Sequence, residues 1–197
     1  MRSILLAAAV LLSGLLGGAS VTVAQESYNG DAAATYHWVH TNAGPGQCGC
    51  FGLNGASISG SWNVHGPWSA VVDVGSEFTS NASSTGNSLT LTSFLGGARF
   101  QLPEPWLRRI RRHKPQPFAQ VLVGVAHAGG GEAGVGDASY GFAARLGGGV
   151  DVPLNSRFAL RAIQIDYYPT TFANATNDHQ NNLMVSAGIV FHWSLRK

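Results

Sequence analysis

Downstream of residue 24 the chain is written in alternation. The clearest instance is residues 182–193, NLMVSAGIVFHW. Leu183, Val185, Ala187, Ile189, Phe191 and Trp193 fall on one side, and Met184, Ser186, Gly188, Val190 and His192 on the other. A period of two is the signature of a β-strand. One face is apolar along its whole length and ends in two aromatics. The other is small or polar. Taken alone, this strand fits a soluble barrel whose apolar face looks inward, or a membrane barrel whose apolar face looks outward.

The same pattern recurs at residues 32–41, 53–64, 68–79, 87–102, 118–128, 138–152 and 157–168, which makes eight strands with the last. Ala56, Ile58, Trp62 and Val64 share one face of the second, and Trp68, Ala70, Val72, Val74 and Phe78 one face of the third. The fourth is less regular, and its Gly96-Gly97 pair predicts a sharp bend. Glycine, proline and polar residues separate the strands at 42–52, 65–67, 80–86, 129–137, 153–156 and 169–181. The connection at 103–117 differs, packing Arg108, Arg109, Arg111, Arg112, His113 and Lys114 between prolines.

Composition narrows the choice. Charged residues make up only 11% of the chain and glycines number 26 of 197, which suits an exterior that needs no charge and an interior that needs small side chains. A net charge of +2 is too small to suggest nucleic acid as a partner. At the N-terminus, Arg2 precedes an apolar run at 4–16 and a small-residue site ending at Ala24. This reads as a secretory signal peptide over 1–24, followed by a short periplasmic lead over 25–31 and a barrel over 32–197. The soluble alternative buries Trp62, Val72, Leu146 and Ile189 in a core.

The C-terminal Ser186-x-Gly188-x-x-Phe191-x-Trp193 resembles the signal by which bacterial outer-membrane β-barrels are read by their insertion machinery. The segments FLGGARF (94–100), PFAQVLVGVAH (117–127) and 141–152 are also similar to that group. Over nearly all the mature chain the sequence resembles the small eight-stranded barrels, like the transmembrane half of outer membrane protein A without its peptidoglycan-binding domain. The resemblance implies an all-β fold, an antiparallel up-and-down transmembrane barrel in the outer membrane. It implies lipid and the insertion machinery as partners, a monomer, and both termini in the periplasm. It implies a structural or surface-interaction role without catalysis or cofactor. A narrow pore for ions or small solutes is the alternative, and a rim enzyme acting on lipid A a third.

Candidate chemistry is sparse. Asp73, Glu77, Arg145, Asp151 and Asp166 fall mostly on the small, polar faces. An eight-stranded barrel has an interior just wide enough for side chains to fill, and charges there must pair. Arg145 is expected to pair with Glu77 or another of these acids and plug the lumen, as a structural ion pair or as a gate. Cys48 and Cys50 suit a loop disulfide, with free thiols or a two-ligand soft-metal contact as alternatives. The basic stretch is either a solvated turn or a contact for anionic headgroups or polymers, with Trp106 and Leu107 reaching the interface. Tyr36, Trp38, Trp62, Trp68, Tyr140, Tyr167, Tyr168, Phe191 and Trp193 cluster near strand ends, as interfacial girdles do. His127, Ser139 and Asp166 are the trio a rim enzyme would use. No zinc spacing, phosphate loop or nucleophile elbow is present to support metal or nucleotide chemistry.

Overall fold

The computed structural model describes residues 29–41, 51–82, 87–102, 115–130, 139–172 and 179–194. They form eight strands: β1 (Gly30–Thr41), β2 (Phe51–His65), β3 (Trp68–Ala82), β4 (Asn87–Gln101), β5 (Gln116–Gly129), β6 (Ser139–Pro153), β7 (Phe158–Thr171) and β8 (Gln180–Trp193). Each pairs antiparallel with the next, and β8 pairs with β1, so the sheet closes into a barrel. Closure leaves no strand edge with unpaired backbone groups, the condition for crossing a bilayer in strands.

Which face looks out is settled by burial. Trp62, Val72, Leu146 and Ile189 are 50, 42, 44 and 47% exposed, whereas Asp73, Glu77 and Arg145 on the opposite faces are 6, 0 and 1% exposed. The barrel is apolar outside and largely polar inside, the arrangement of a transmembrane barrel. A soluble barrel would reverse it. Aromatic pairs ring the end that carries the first and last strand ends: Trp62 with Trp193, Trp68 with Phe100, and Phe158 with Phe191. Tyr36, Trp38, Tyr140 and Tyr167 face outward toward the other end. Tyr168 does not join them. It is wholly buried in the lumen, because neighbouring residues of a strand point to opposite faces.

A bulge in β7 sets the inner surface of this region. Arg161 lies opposite Gly188 and Gln164 opposite Ser186, so Ala162 and Ile163 together face Ala187. Both of these residues point outward. The inward set therefore switches from Ala159 and Arg161 to Gln164, Asp166, Tyr168 and Thr170. An inserted residue resets the alternation in this way. The Gly96-Gly97 pair, expected to bend β4, sits instead in unbroken register between Val72, Val71 and Val123, Leu122. Its use is close approach: a Cβ on Gly97 would lie 2.0 Å from the Val121 carbonyl oxygen.

Candidate functional site

The lumen is the one place where chemistry-bearing residues converge among those described. Its middle is organised by Arg145 on β6. Nη1 donates to Asp73 Oδ1 at 2.8 Å, and Nη2 reaches Ser93 Oγ at 3.1 Å and Glu77 Oε1 at 3.4 Å. The guanidinium also lies 5.0 Å from the Tyr168 ring centroid, a cation–π distance. Asp73 accepts from Ser57 Oγ, which in turn meets Thr35 Oγ1. His37 Nε2 lies 3.0 Å from Glu77 Oε1.

Local sequence makes these contacts possible. His37 on β1 and Glu77 on β3 are separated by β2, and the residue between them in register is Gly55. A Cβ there would stand 2.8 Å from His37 Nε2, so only glycine lets the two side chains meet. Gly75 plays the same part for Arg145, whose Nη2 would be 3.0 Å from a Cβ at that position.

A second tier lies nearer the strand ends that carry Gly30 and Trp193. Arg161 forms a two-pronged pair with Asp151, Nε to Oδ1 at 2.8 Å and Nη2 to Oδ2 at 2.9 Å, and its Nη1 donates to Gln164. Gln164 and Gln120 both donate to Asp166. Arg99 reaches across to Asp31 at 3.2 Å and toward Gln120. Arg99 and Arg161 sit 4.8 and 4.5 Å from the centroid of one ring, Phe118.

Above both tiers, toward the opposite mouth, the lining becomes apolar. Val39, Leu53 and Met184 are buried there in one cluster with Tyr168, and the same cluster runs down to Leu91 and Leu95, which lie opposite Glu77 and Asp73 of the Arg145 tier.

The chain matches no protein-family model and no curated protein. Solved structures share its architecture, two of them as follows. Neisserial surface protein A superposes with a TM-score of 0.64 over 84% of this chain and 97% of its own, at 12% identity. Ail, the attachment invasion locus protein of Yersinia pestis, superposes with a TM-score of 0.50 over 83% and 99%, at 13% identity.

The fold is that of the small outer-membrane β-barrels.

Within this outer-membrane-type barrel, all five acids and bases read from the sequence line the lumen. Arg145 meets Asp73 and Glu77, Asp151 meets Arg161, and Asp166 is held by two amides rather than by a guanidinium. Sequence reasoning missed Asp31, His37, Arg99 and Arg161. Asp31 was assigned to the lead, but β1 begins at Gly30 and carries it into the lumen, hydrogen-bonded to Ser61. Arg161 was hidden by the β7 bulge. Arg99 lay on the strand with the least regular faces. His37 alternates correctly with Tyr36 and Trp38 and was legible as an inward residue.

The rim trio does not assemble. Asp166 is sealed in the lumen opposite Gly147, eight residues along β6 from Ser139. His127 instead packs its ring on Tyr140. Of the residues read as an insertion signal, Ser186 is buried in the lumen, while Phe191 lies on the outer face against Phe158. Gly188 is packed against β1, where a Cβ would stand 2.1 Å from the Ala34 carbonyl oxygen. Trp193 stacks edge-on with Trp62. Cys48, Cys50 and the basic stretch 108–114 lie outside the described residues.

Proposed function

We propose that the protein is a monomeric integral outer-membrane barrel that acts as a structural or surface-interaction element, without catalysis. The observation that carries the reading is the inversion of the barrel: an apolar, aromatic-ringed exterior around a lumen filled by paired side chains. Such a barrel is a solid peg in lipid, and its variable part is the set of connections at its rims. The names of the two structural neighbours, a surface protein and an attachment invasion protein, accord with a role at the cell surface. A narrow pore is the weaker alternative, because charged side chains meet across the lumen.

In this reading residues 1–24 direct export and are removed. Ser186, Gly188, Phe191 and Trp193 present the closing strand to the insertion machinery. The end with Gly30 and Trp193 faces the periplasm, and the connections after β1, β3, β5 and β7 face outward. The test is an epitope tag placed within residues 83–86 or at Asn155, read by antibody on intact cells after membrane fractionation. The expected result is outer-membrane recovery, a heat-dependent gel shift, and surface labelling of the 83–86 tag alone. Labelling of the Asn155 tag alone, or recovery as a soluble protein, overturns the reading. Mass spectrometry of lipid A from expressing cells is expected to show no change.

A further inference from the structure

We infer that the barrel is closed at one mouth by an apolar seal that is separate from its ion pairs, so that it stays impermeable when those pairs are broken. The inference rests on the transmembrane reading above. Interiors of membrane barrels are ordinarily polar, yet Val39, Leu53, Leu91 and Met184 point inward and are 0, 2, 6 and 0% exposed. Val39 lies opposite both Leu53 and Met184, so three strands bring apolar side chains to one level near the end of β1 and the starts of β2 and β8. Phe51 and Phe172 pack against this cluster from the mouth side.

Some of the polar groups at this level are turned toward one another, while Asn182 Oδ1 is buried with no hydrogen-bond partner among the described residues and Thr41 is buried opposite Asn182. Asn182 Nδ2 donates to the Tyr168 carbonyl and to Thr170 Oγ1, and Thr170 donates to Gln180. Beside them Leu53 and Leu91 are buried in the apolar cluster. A constriction lined by apolar side chains excludes water and ions because nothing there replaces their hydration.

The other half of the lumen is of opposite character. Asp31, Ser61, Ser69, Arg99, Gln101 and Gln116 all make side-chain hydrogen bonds there, and the Asp31 side chain is 14% exposed. Solvent therefore reaches Asp31 from the end that carries Gly30 and Trp193 and stops there, because Arg99, Arg161 and Asp151 are 3, 2 and 4% exposed. The lumen is filled along its length, with three barriers in series: the lower charge tier, the Arg145 tier and the apolar seal.

The experiment is conductance of the folded full-length barrel in a planar bilayer, with heat-dependent gel migration confirming folding of every variant. Three variants are compared with the unaltered protein. The first breaks both charge tiers (Asp73→Asn, Glu77→Gln and Arg145→Met, with Asp31→Asn, Arg99→Met, Asp151→Asn and Arg161→Met). The second opens the seal (Leu53→Ser, Met184→Ser). The third combines both. Arg145→Lys with Arg99→Lys and Arg161→Lys, which keep the charges but shorten their reach to the acids, replaces the first if that variant fails to fold. The expected result is no conductance from the unaltered protein or from either partial variant, and at least about tenfold more current from the combination than from the charge-tier variant. Conductance from the charge-tier variant equal to that of the combination overturns the seal, as does a combination that stays closed or an unaltered barrel that conducts. Failure of the unaltered chain to show a gel shift or enter lipid is a different outcome, and it overturns the transmembrane reading itself.

Discussion

Arg145 Nη1 lies 2.8 Å from Asp73 Oδ1, although β6 and β3 are separated by two strands on one side of the barrel and four on the other. The pair therefore spans the lumen rather than running along its wall. Arg99 on β4 and Asp31 on β1 repeat the relationship one tier away. Removing one partner of such a pair leaves the other charge buried and alone. Arg145→Ala is expected to destabilise the folded barrel by about 3–5 kcal/mol. Arg145→Ala combined with Asp73→Ala is expected to cost less than the sum of the two single changes. Urea unfolding in detergent micelles, followed by tryptophan fluorescence, measures all three.

Gly55 is required by crowding rather than by backbone conformation. A Cβ there would stand 2.3 Å from the Ser76 carbonyl oxygen and 2.8 Å from Glu77 Cα. Gly55→Ala is expected to cost about 1–3 kcal/mol, the usual range for overpacking. At Gly60 the nearest atoms belong to the tip of the Trp62 ring at 3.3 Å, on the outer face. Gly60→Ala is the control, and it is expected to change stability by less than about 0.5 kcal/mol. Equal effects in the same unfolding assay would remove crowding as the explanation.

The fork of Arg161 on Asp151 depends on the planar guanidinium, which also lies against Phe118 and donates to Gln164. A lysine ammonium cannot make two parallel bonds to one carboxylate. Arg161→Lys is expected to lose about 1.5–3 kcal/mol, the worth of a hydrogen bond to a charged group. The midpoint of the heat-dependent gel shift reads the loss, and a variant with an unchanged midpoint would show that charge alone suffices.

Ile189 faces outward at 47% exposure on β8, level with Ala34 and Leu160. Ile189→Arg places a cation against hydrocarbon, with an expected cost of about 2–4 kcal/mol near the midplane. The comparison is folding yield into vesicles against Ile189→Leu. A yield that is the same for both would mean that this face does not contact lipid.

Much of the fold was legible because strand periodicity is local. The eighth strand, its apolar face from Leu183 to Trp193 and the turn at 65–67 follow from neighbouring residues alone. The inward placement of Asp73, Glu77, Arg145 and Asp151 follows from the same alternation. The errors came where alternation breaks. The extra residue in β7 moved the inward set by one, which concealed Arg161. Tyr168 was read with its neighbour Tyr167 as a girdle residue, although a strand in unbroken alternation cannot turn both outward. Asp31 was missed because Gly30 and Asp31 carry no apolar alternation to announce the start of β1. What holds them in the sheet is pairing with Trp62 and Ser61 on one side and with Trp193 and His192 on the other.

By itself the sequence determined the number of strands, their two contrasting faces and the residues on most of each face, because side-chain direction reverses at every residue of an extended chain. Only the tertiary structure decided which face met lipid and which charges met each other. The partners of Arg145 lie 72 and 68 residues away. They are selected by strand closure and by the stagger between neighbouring strands. Those are properties of the closed sheet, and no local pattern encodes them.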